Sequence, residues 1–169
     1  MALTIQVVQG DITKLSVDAI VNAANEELSA GSGVCGAIHK AAGPLLEKAC
    51  LEIGFCKTGD AVITSAYDLT AKNIIHAVGP HYFKSGESAP KLLESSYQKS
   101  LELADENILT SIAFPAISTG IYGYPILEAT KIAIKTVKAF QPKKRLSKVI
   151  FCCFSERDKS LYESVLSDH

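Results

Sequence analysis

The chain contains 169 residues, 47% of them hydrophobic, and its formal net charge at pH 7 is −1. One domain of this length has enough apolar side chains to form a core. Arg145 and Arg157 are the only arginines, so the sequence offers no broad basic surface for a nucleic-acid backbone. The N-terminal residues lack the basic flank of a signal peptide, and no apolar run approaches the roughly 20 residues that span a bilayer. We therefore expect residues 1–169 to form a single cytoplasmic domain, monomeric and independent of membranes.

The cysteines and histidines show no ligand spacing for a metal. The five cysteines are an odd number without C-x-x-C spacing, which is typical of a reducing compartment. The four histidines are scattered, and none pairs with a cysteine or carboxylate at a zinc-like spacing. We expect no metal and no cofactor. We also expect His39 and His76 to be packed or capping residues and not catalysts.

Apolar spacing alternates between strand-like and helix-like segments along the chain. The spacing predicts strands at 5–8, 18–21, 61–66, 73–78, 111–115 and 148–154. It predicts helices at 34–53, with a break at Gly43-Pro44, and at 93–104, 126–140 and 159–166. Residues 81–90 are expected to be a loop. Helices interleaved with strongly apolar strands are typical of a three-layer α/β/α domain with a largely parallel sheet.

A polar, glycine-rich segment follows the second predicted strand and opens the first predicted helix. It contains Val21-Asn22-Ala23-Ala24-Asn25 and then Gly31-Ser32-Gly33-Val34-Cys35-Gly36-Ala37-Ile38-His39. Loops of this composition bring backbone N–H groups close to a phosphate, and the dipole of the following helix adds to the attraction. The segment therefore indicates a phosphorylated ligand.

The glycines at 31, 33 and 36 also match the G-x-G-x-x-G pattern of dinucleotide-binding folds. In that pattern the first glycine follows the strand directly, whereas the nine residues 22–30 intervene here. No acidic residue lies on a second strand at the right distance, because Glu52 falls in a helical pattern and Asp60 precedes its strand. An NAD-binding unit fits poorly, and a plain loop whose glycines serve close packing is an alternative.

A second glycine-bearing loop, residues 116–124, follows the fifth predicted strand and ends at Pro125, a helix-start signal. Ligands of open α/β sheets bind outside the carboxyl ends of the strands, so we expect both loops to line one crevice. Ser118, Thr119 and Gly120 offer hydroxyl and backbone donors to a phosphate in a chain with few arginines. The alternative is an ordinary β-turn.

Four short motifs lie in order along the chain. They are Gly10-Asp11-Ile12-Thr13, Val21-Asn22-Ala23-Ala24-Asn25, Gly33-Val34-Cys35-Gly36-Ala37-Ile38-His39 and Ser118-Thr119-Gly120-Ile121-Tyr122-Gly123-Tyr124-Pro125. Together they resemble the macro domain, an ADP-ribose-binding family, from about residue 5 to residue 166. The resemblance implies a mixed, largely parallel sheet of about six strands. It also implies that the partner is ADP-ribose or an ADP-ribosylated protein.

By this resemblance, Asp11 accepts the adenine amino group, with the backbone of Ile12 beside it. A carboxylate suits that amine and repels the carbonyl that guanine carries at the same place. Phe154 resembles the aromatic residue that stacks on adenine in this family. The alternative for Phe154 is an ordinary core phenylalanine.

The same resemblance assigns the pyrophosphate and the distal ribose. Residues 118–122 match the loop that wraps the pyrophosphate, and residues 33–34 match the segment that covers it from the other side. Asn25 matches the asparagine that bonds the distal ribose, whereas Asn22 is expected to hold the loop in shape. The implied ligand-binding set is Asp11, Ile12, Asn22, Ala23, Asn25, Gly33, Val34, Cys35, Ser118, Thr119, Gly120, Ile121, Tyr122 and Phe154.

Tyr122 and Tyr124 lie where the family closes over the distal ribose, and packing is the alternative for both. Cys35 stands where a hydrolytic branch of the family has an aspartate that is thought to position or activate water. The residues after it, Gly36-Ala37-Ile38-His39, match that branch. Asn25 and Cys35 are therefore the candidate catalytic residues.

Two roles for Cys35 remain open at this stage. In the first, the ligand's own phosphate orients the attacking water and the thiol is a spacer. In the second, the thiol is a nucleophile, for which His39 is the one local base.

The resemblance implies hydrolysis of mono-ADP-ribose esters on acidic side chains, deacetylation of O-acetyl-ADP-ribose, or both. A non-catalytic ADP-ribose reader is the alternative. Phosphatase action on ADP-ribose 1″-phosphate is a third candidate activity.

Overall fold

Helices and strands alternate through residues 3–168, which are the residues that the computed structural model describes. The strands are β1 Thr4–Gln9, β2 Ala19–Ala23, β3 Ala61–Ser65, β4 Asn73–Ala77, β5 Ser111–Phe114 and β6 Lys148–Cys153. The α-helices are α1 Gly33–Ala42, α2 Pro44–Ile53, α3 Tyr82–Ser85, α4 Ala89–Glu106, α5 Ile126–Ala139 and α6 Glu156–Ser167. Short 3-10 helices lie at Ile12–Lys14 and Gly86–Ser88. Within residues 3–168, none of the helices combines the length and hydrophobicity that crossing a membrane requires.

The strands form one six-stranded sheet in the order β1-β6-β5-β2-β4-β3. Every neighbouring pair is parallel except β3 and β4, which are antiparallel. The connection between those two strands, residues 66–72, is too short for a crossover helix, so β3 turns back beside β4. This mixed, largely parallel sheet confirms the fold class predicted from the sequence.

Helices cover both faces of the sheet and complete the three layers. One core contains the inner faces of α4, α5 and α6, and the other contains those of α1 and α2. Along β6, Val149 and Phe151 belong to the first core, whereas Ile150 and Cys152 belong to the second. Successive side chains of a strand point to opposite faces, so a strand buried on both sides is apolar throughout.

β2 is longer than predicted, because it continues through Asn22 and Ala23. These two residues pair with His76 and Ala77 of β4. Asn22 is therefore held within the sheet, where it is fully buried, and not in the loop that follows.

The prediction of a continuous loop over residues 81–90 is wrong, because Tyr82–Ser85 form α3. The backbone N–H of Tyr82 donates to the carbonyl of Tyr122 at 2.9 Å. This bond ties the start of α3 to the second glycine-bearing loop. The short helix consequently forms part of the surroundings of the site.

The end of the chain differs from the prediction at two boundaries. β6 stops at Cys153, one residue before Phe154. α6 begins at Glu156 and not at Lys159, because the hydroxyl of Ser155 caps the helix by accepting from an amide of its first turn.

Candidate functional site

A cavity of ≈ 300 Å³ opens at the carboxyl ends of β2, β4 and β5. Both glycine-bearing loops contribute to its walls, which confirms that they line one crevice. The lining consists of residues 23–25, 31–35, 79, 115–118 and 120–122. This position at the strand ends is the usual one for ligands of open α/β sheets.

The N-terminus of α1 forms one wall of the cavity. Its N-cap residue, Ser32, makes no side-chain hydrogen bond to the helix. The amides of the first turn, at Gly33, Val34 and Cys35, have no acceptor within a helix, and the helix dipole is positive at this end. These three residues line the cavity, so this wall attracts an anion through backbone N–H groups.

The glycines of this wall serve conformation and close packing. Gly33 has a φ of +58°, a left-handed conformation that side-chain-bearing residues rarely adopt. A Cβ at Gly36 would lie 2.5 Å from the carbonyl oxygen of Gly31. Close packing therefore explains Gly36, and it does not require a dinucleotide-binding fold.

The opposite wall is the loop of residues 116–124. Its Tyr124 amide donates to the carbonyl of Ser118 at 2.9 Å, and its Gly123 amide donates to Gly120 at 3.0 Å. Ser118 itself is buried with a φ of +68°, a strained conformation for a residue with a side chain. Its hydroxyl has no hydrogen-bond partner among the described residues. This hydroxyl is enclosed by the protein and lies against Gly79, so it belongs to the support of the wall and is not open to a ligand.

Thr119 makes no contribution to the described cavity wall. Its hydroxyl donates to the carbonyl of Ala116 at 2.8 Å, which supports the turn from within. Its amide donates to the same carbonyl at 3.3 Å.

Gly79, two residues after the end of β4, belongs to the site although the sequence indicated only a strand end there. It lines the cavity between the two loops. A Cβ at this position would lie 2.2 Å from Oγ of Ser118 and 2.5 Å from Cγ2 of Ile117. The second loop therefore packs directly on the backbone of Gly79. The sequence shows a glycine after a buried strand. That signal alone does not reveal that Gly79 contacts the distant loop that contains Ser118.

The side chain of Asn25 lines the cavity and is also bonded to Ser29. Its Nδ2 donates to the Ser29 carbonyl at 3.2 Å, and its Oδ1 accepts from the Ser29 amide at 3.0 Å. The Ser29 hydroxyl bonds the same amide group, at 3.1 Å from Nδ2. These contacts give the amide of Asn25 a fixed orientation at the cavity wall.

The thiol of Cys35 lies at the cavity wall between two polar partners. Its sulfur donates to the carbonyl of Ser29 at 3.5 Å and accepts from Nδ2 of Asn22 at 3.7 Å. His39 makes no hydrogen bond to it, and among the described residues Nε2 of His39 has no partner. Burial lowers the pKa of His39, which keeps the ring neutral. Among the described residues, the thiol of Cys35 therefore has no imidazole or carboxylate hydrogen-bonded to it.

Asn22 lies behind the cavity lining and not in it. Its Nδ2 is 3.1 Å from Nδ1 of His76, and Nε2 of His76 is 3.0 Å from the hydroxyl of Thr64. Burial lowers the pKa of His76 to about 3. Both His39 and His76 are buried, as the sequence predicted.

Tyr122 and Tyr124 differ in position. Tyr122 lines the cavity, and its ring stacks on His81 with centroids 3.6 Å apart. Tyr124 is buried and packs edge-on against Tyr82 with centroids 4.8 Å apart. Of the two tyrosines, only Tyr122 is available to a ligand in the cavity. Tyr124 is a packing residue, which was the alternative role considered for it.

Asp11, Ile12 and Phe154 lie outside the described cavity, at the adjacent ends of β1 and β6. The amide of Gly10 donates to the carbonyl of Cys153 at 3.0 Å and holds the two strand ends together. The ring of Phe154 is 88% exposed, which excludes the alternative of a core phenylalanine. An exposed aromatic ring beside an exposed carboxylate is suited to a planar base that carries an amino group.

The carboxylate of Asp11 also caps the 3-10 helix that follows it. Its Oδ1 accepts from the hydroxyl of Thr13 at 2.6 Å and from the amide of Thr13 at 2.9 Å. The Thr13 hydroxyl and amide lower the pKa of Asp11. The group is therefore ionised at neutral pH.

The cavity wall carries no charged side chain among the described residues. Arg145 and Arg157 lie elsewhere, before β6 and in α6. Residues 3–168 contain no cluster of three or more His, Cys, Asp or Glu side chains that could hold a metal ion. An anion in this cavity would consequently bond to backbone amides and hydroxyl groups.

Comparison with known sequences identifies relatives over the whole length. A macro domain protein of Chlorobaculum tepidum is 52% identical over 164 residues, which cover 96% of this chain and 95% of the relative. The O-acetyl-ADP-ribose deacetylase of Escherichia coli K12 is 52% identical over 172 aligned residues, covering 99% of this chain and 97% of the enzyme.

Solved structures show the same architecture. The Oceanobacillus iheyensis macrodomain with ADP superposes with a TM-score of 0.92 at 45% identity, covering 96% of this chain and 89% of that one. The Trypanosoma brucei macrodomain in complex with ADP-ribose superposes with a TM-score of 0.88 at 42% identity, covering 95% and 68%. The family model described as "Macro domain" matches residues 21–133. The chain belongs to the macro domain family, as its motifs and sheet predicted.

Proposed function

We propose that this protein binds ADP-ribose and hydrolyses O-acetyl-ADP-ribose, mono-ADP-ribose esters of acidic side chains, or both. The observation that carries the proposal is the cavity between two sets of backbone amides, those of α1 and those of the loop at 116–124. A diphosphate is an anion that backbone amides bind well. Relatives that are 52% identical over nearly the full chain and act as O-acetyl-ADP-ribose deacetylases support the choice of reaction.

The shape and lining of the cavity support a position for each ligand group. We place the pyrophosphate between the first turn of α1 and the loop that contains Ser118. We place the adenine outside the cavity, at Asp11 and Phe154. The distal ribose then lies toward Asn25, Cys35 and Tyr122. Two residues of the predicted binding set, Thr119 and Asn22, support the walls in this arrangement and do not contact the ligand.

Hydrolysis of the ester adds the oxygen of one water molecule to the acyl carbon and releases a carboxylic acid and ADP-ribose. The described cavity wall contains no carboxylate or imidazole that would accept the proton of that water. A phosphate oxygen of the ligand is the remaining base and orienting group, and the loops would exclude bulk solvent. The protein's contribution is therefore the positioning of the ligand.

The absence of a base from the described cavity wall also favours a second candidate function. A macro domain without a catalytic group would bind ADP-ribosylated proteins and leave them intact. We further propose that residues 1–169 are one cytoplasmic domain.

Two measurements on the same protein test these functions. Calorimetry with free ADP-ribose is expected to show binding with 1:1 stoichiometry, and no heat at millimolar ligand would overturn the ADP-ribose site. Release of acetate from O-acetyl-ADP-ribose, and of ADP-ribose from a glutamate-linked substrate, is expected in single-turnover assays. If the protein binds ADP-ribose but releases neither product over hours, its function is that of a non-catalytic reader of ADP-ribosylated proteins.

A further inference from the structure

Three large apolar side chains are more exposed than any others in the described chain: Phe154 at 88%, Ile121 at 86% and Phe83 at 84%. The adenine position explains Phe154. Ile121 also lines the cavity and belongs to the binding set, whereas Phe83 has no role in the proposed function. A monomer usually exposes such residues singly, so two together beside a binding cavity indicate a contact surface.

Phe83 and Ile121 lie on the same rim of the cavity. The amide of Tyr82 donates to the carbonyl of Tyr122 at 2.9 Å, which places α3 against the loop that contains Ile121. A Cβ at Gly123 would lie 3.7 Å from the ring of Phe83. Ile121 itself lines the cavity. We call Phe83 and Ile121 the apolar rim.

The structure around Tyr82 holds the ring of Phe83 outward. The ring of Tyr82 packs edge-on against Phe83 on one side and against Tyr124 on the other, with centroids 5.1 and 4.8 Å away. Tyr124 is buried and so provides a fixed base for this stack. The exposed position of Phe83 is therefore stabilised by the packing of its neighbour Tyr82.

The apolar rim adjoins the end of the cavity where the distal ribose is placed. Ile121 is next to Tyr122, which lines the cavity together with Asn25 and Cys35. The adenine position at Asp11 and Phe154 lies at the other side, beside β1 and β6. Whatever is attached to the distal ribose leaves the cavity beside the rim. In O-acetyl-ADP-ribose that group is an acetyl, whereas in an ADP-ribosylated protein it is a polypeptide.

The charges near this end do not favour an ionic contact with that polypeptide. Glu26 and Glu27 directly follow Asn25 of the cavity wall, and Lys84 follows Phe83. A mixed set of this kind attracts neither an acidic nor a basic segment strongly. The esterified acidic side chain is itself neutral, so the exposed side chains of Phe83 and Ile121 are the feature at this end that favours contact with the polypeptide.

We propose that Phe83 and Ile121 dock the polypeptide of an ADP-ribosylated protein through an apolar residue next to the modified side chain. This inference rests on the proposed ADP-ribose site and names its partner. Phe83, which lies outside the cavity lining, contributes to protein-linked substrates and leaves free ADP-ribose and O-acetyl-ADP-ribose unaffected, whereas Ile121 contacts both kinds of ligand.

The test compares free ADP-ribose with a peptide that carries ADP-ribose through a non-hydrolysable link, with leucine on both sides of the attachment. Calorimetry serves here, because it applies to an enzyme and to a reader alike. The wild type is expected to bind the conjugate about tenfold more tightly than free ADP-ribose, as one partly buried aromatic contact allows. A conjugate with glycine flanks is expected to lose this gain.

Phe83→Ser is the informative variant, because its side chain is exposed and outside the cavity lining. It is expected to abolish the gain for the leucine conjugate while the affinity for free ADP-ribose stays within about twofold. Leu51→Ser, at a position that is 73% exposed on α2, is the matched control and is expected to keep the gain.

Each other outcome has a definite meaning. Equal binding of conjugate and free ADP-ribose by the wild type, or an unchanged gain in Phe83→Ser, would overturn the docking surface and leave the ADP-ribose site standing. Absence of binding to free ADP-ribose would overturn both. Loss of affinity for both ligands in Phe83→Ser would make it a support of the cavity and not a docking residue.

Discussion

Nδ2 of Asn22 lies 3.1 Å from Nδ1 of His76, and both side chains are fully buried. The neighbouring bonds define the proton positions. The hydroxyl of Thr64 donates to the carbonyl of Ser65 at 3.0 Å, so its bond to Nε2 of His76 requires the ring to donate. Nδ1 of His76 is then the acceptor, and Nδ2 of Asn22 donates a hydrogen bond to it. His76 is therefore a neutral ring with its proton on Nε2.

This chain of bonds extends from β3 to α1. Thr64 lies in β3, His76 in β4, Asn22 in β2, and Cys35 in the first turn of α1. With one proton bonded to His76, the amide of Asn22 presents its second proton to the sulfur of Cys35. The buried histidine thereby fixes the orientation of a group directly behind the cavity wall.

The first prediction concerns acid sensitivity. Burial lowers the pKa of His76 to about 3 in the folded protein, below the value of 6.5 for a free histidine. The unfolded chain therefore binds more protons below pH 6.5, and stability falls as the pH falls from about 6.5 toward 3. At pH 5.5 the loss relative to pH 7.5 is about 1.4 kcal/mol from this residue.

His76→Gln removes this titration and keeps an amide that bonds to Asn22. Urea unfolding at pH 7.5 and pH 5.5 is expected to show the variant losing about 1.4 kcal/mol less of its unfolding free energy than the wild type. His39 and His81 titrate in both proteins and cancel in the comparison. An identical pH dependence for the two proteins would contradict the neutral buried state of His76.

The second prediction concerns base recognition by Asp11. Loss of one charge-assisted hydrogen bond costs about 1.5 to 3 kcal/mol, so Asp11→Ala is expected to weaken ADP-ribose binding roughly ten- to a hundredfold. Asp11→Asn keeps an oxygen that caps the amide of Thr13, and its amide group offers a donor to guanine as well as an acceptor to adenine. Asp11→Asn is therefore expected to reduce the ratio of the affinities for ADP-ribose and GDP-ribose, as measured by calorimetry. A wild type that binds both equally would refute the role of Asp11.

The third prediction separates two roles of Asn25. Placement of the distal ribose by its amide affects rate more than affinity, because small misplacements of a reacting bond are costly in rate. Asn25→Ala is expected to lower the single-turnover rate at least tenfold more than it lowers affinity. Ser29→Ala removes the hydroxyl contact at 3.1 Å and leaves the backbone contacts to Asn25. Matching losses in the two variants would mean that Asn25 acts only through the shape of the loop.

The sheet and both loops could be predicted from the sequence because their signals are local. A nearly continuous apolar run predicted β6, and glycines after strands predicted the loops. Contacts between distant residues could not be predicted in this way. Gly79 packs against Ser118, 39 positions away, because β4 and β5 both run parallel to β2 and so end at the same edge of the sheet.

The solvent exposure of individual apolar side chains was the second property that the apolar pattern of the sequence did not reveal. Phe151 and Phe154 stand in one apolar run, yet the first is 1% exposed and the second 88%. The difference arises where β6 ends and its neighbour β1 ends with it. The same holds for Phe83, which fell in a predicted loop and is presented outward by α3.

The hydrogen bonds of the Cys35 sulfur bear on the two mechanisms left open by the sequence. Its thiol donates to the carbonyl of Ser29 at 3.5 Å, and no imidazole or carboxylate among the described residues bonds to it. A nucleophilic thiol requires a base or a cation that favours the thiolate. These contacts favour the spacer, in which the phosphate of the ligand orients the water.

The final prediction compares the single-turnover rates of the wild type, Cys35→Ala and Cys35→Asp on O-acetyl-ADP-ribose. Cys35→Ala is expected to keep most of the single-turnover rate, because the loops still exclude solvent and the phosphate still orients the water. Cys35→Asp is expected to equal or exceed the wild type, since Nδ2 of Asn22, at 3.7 Å from the sulfur, can donate to a carboxylate that positions the water. Alkylation of the wild-type thiol would block the cavity by size, so only the alanine variant is diagnostic. If Cys35→Ala binds ADP-ribose with unchanged affinity and has no turnover, the thiol is the nucleophile and the spacer role is refuted.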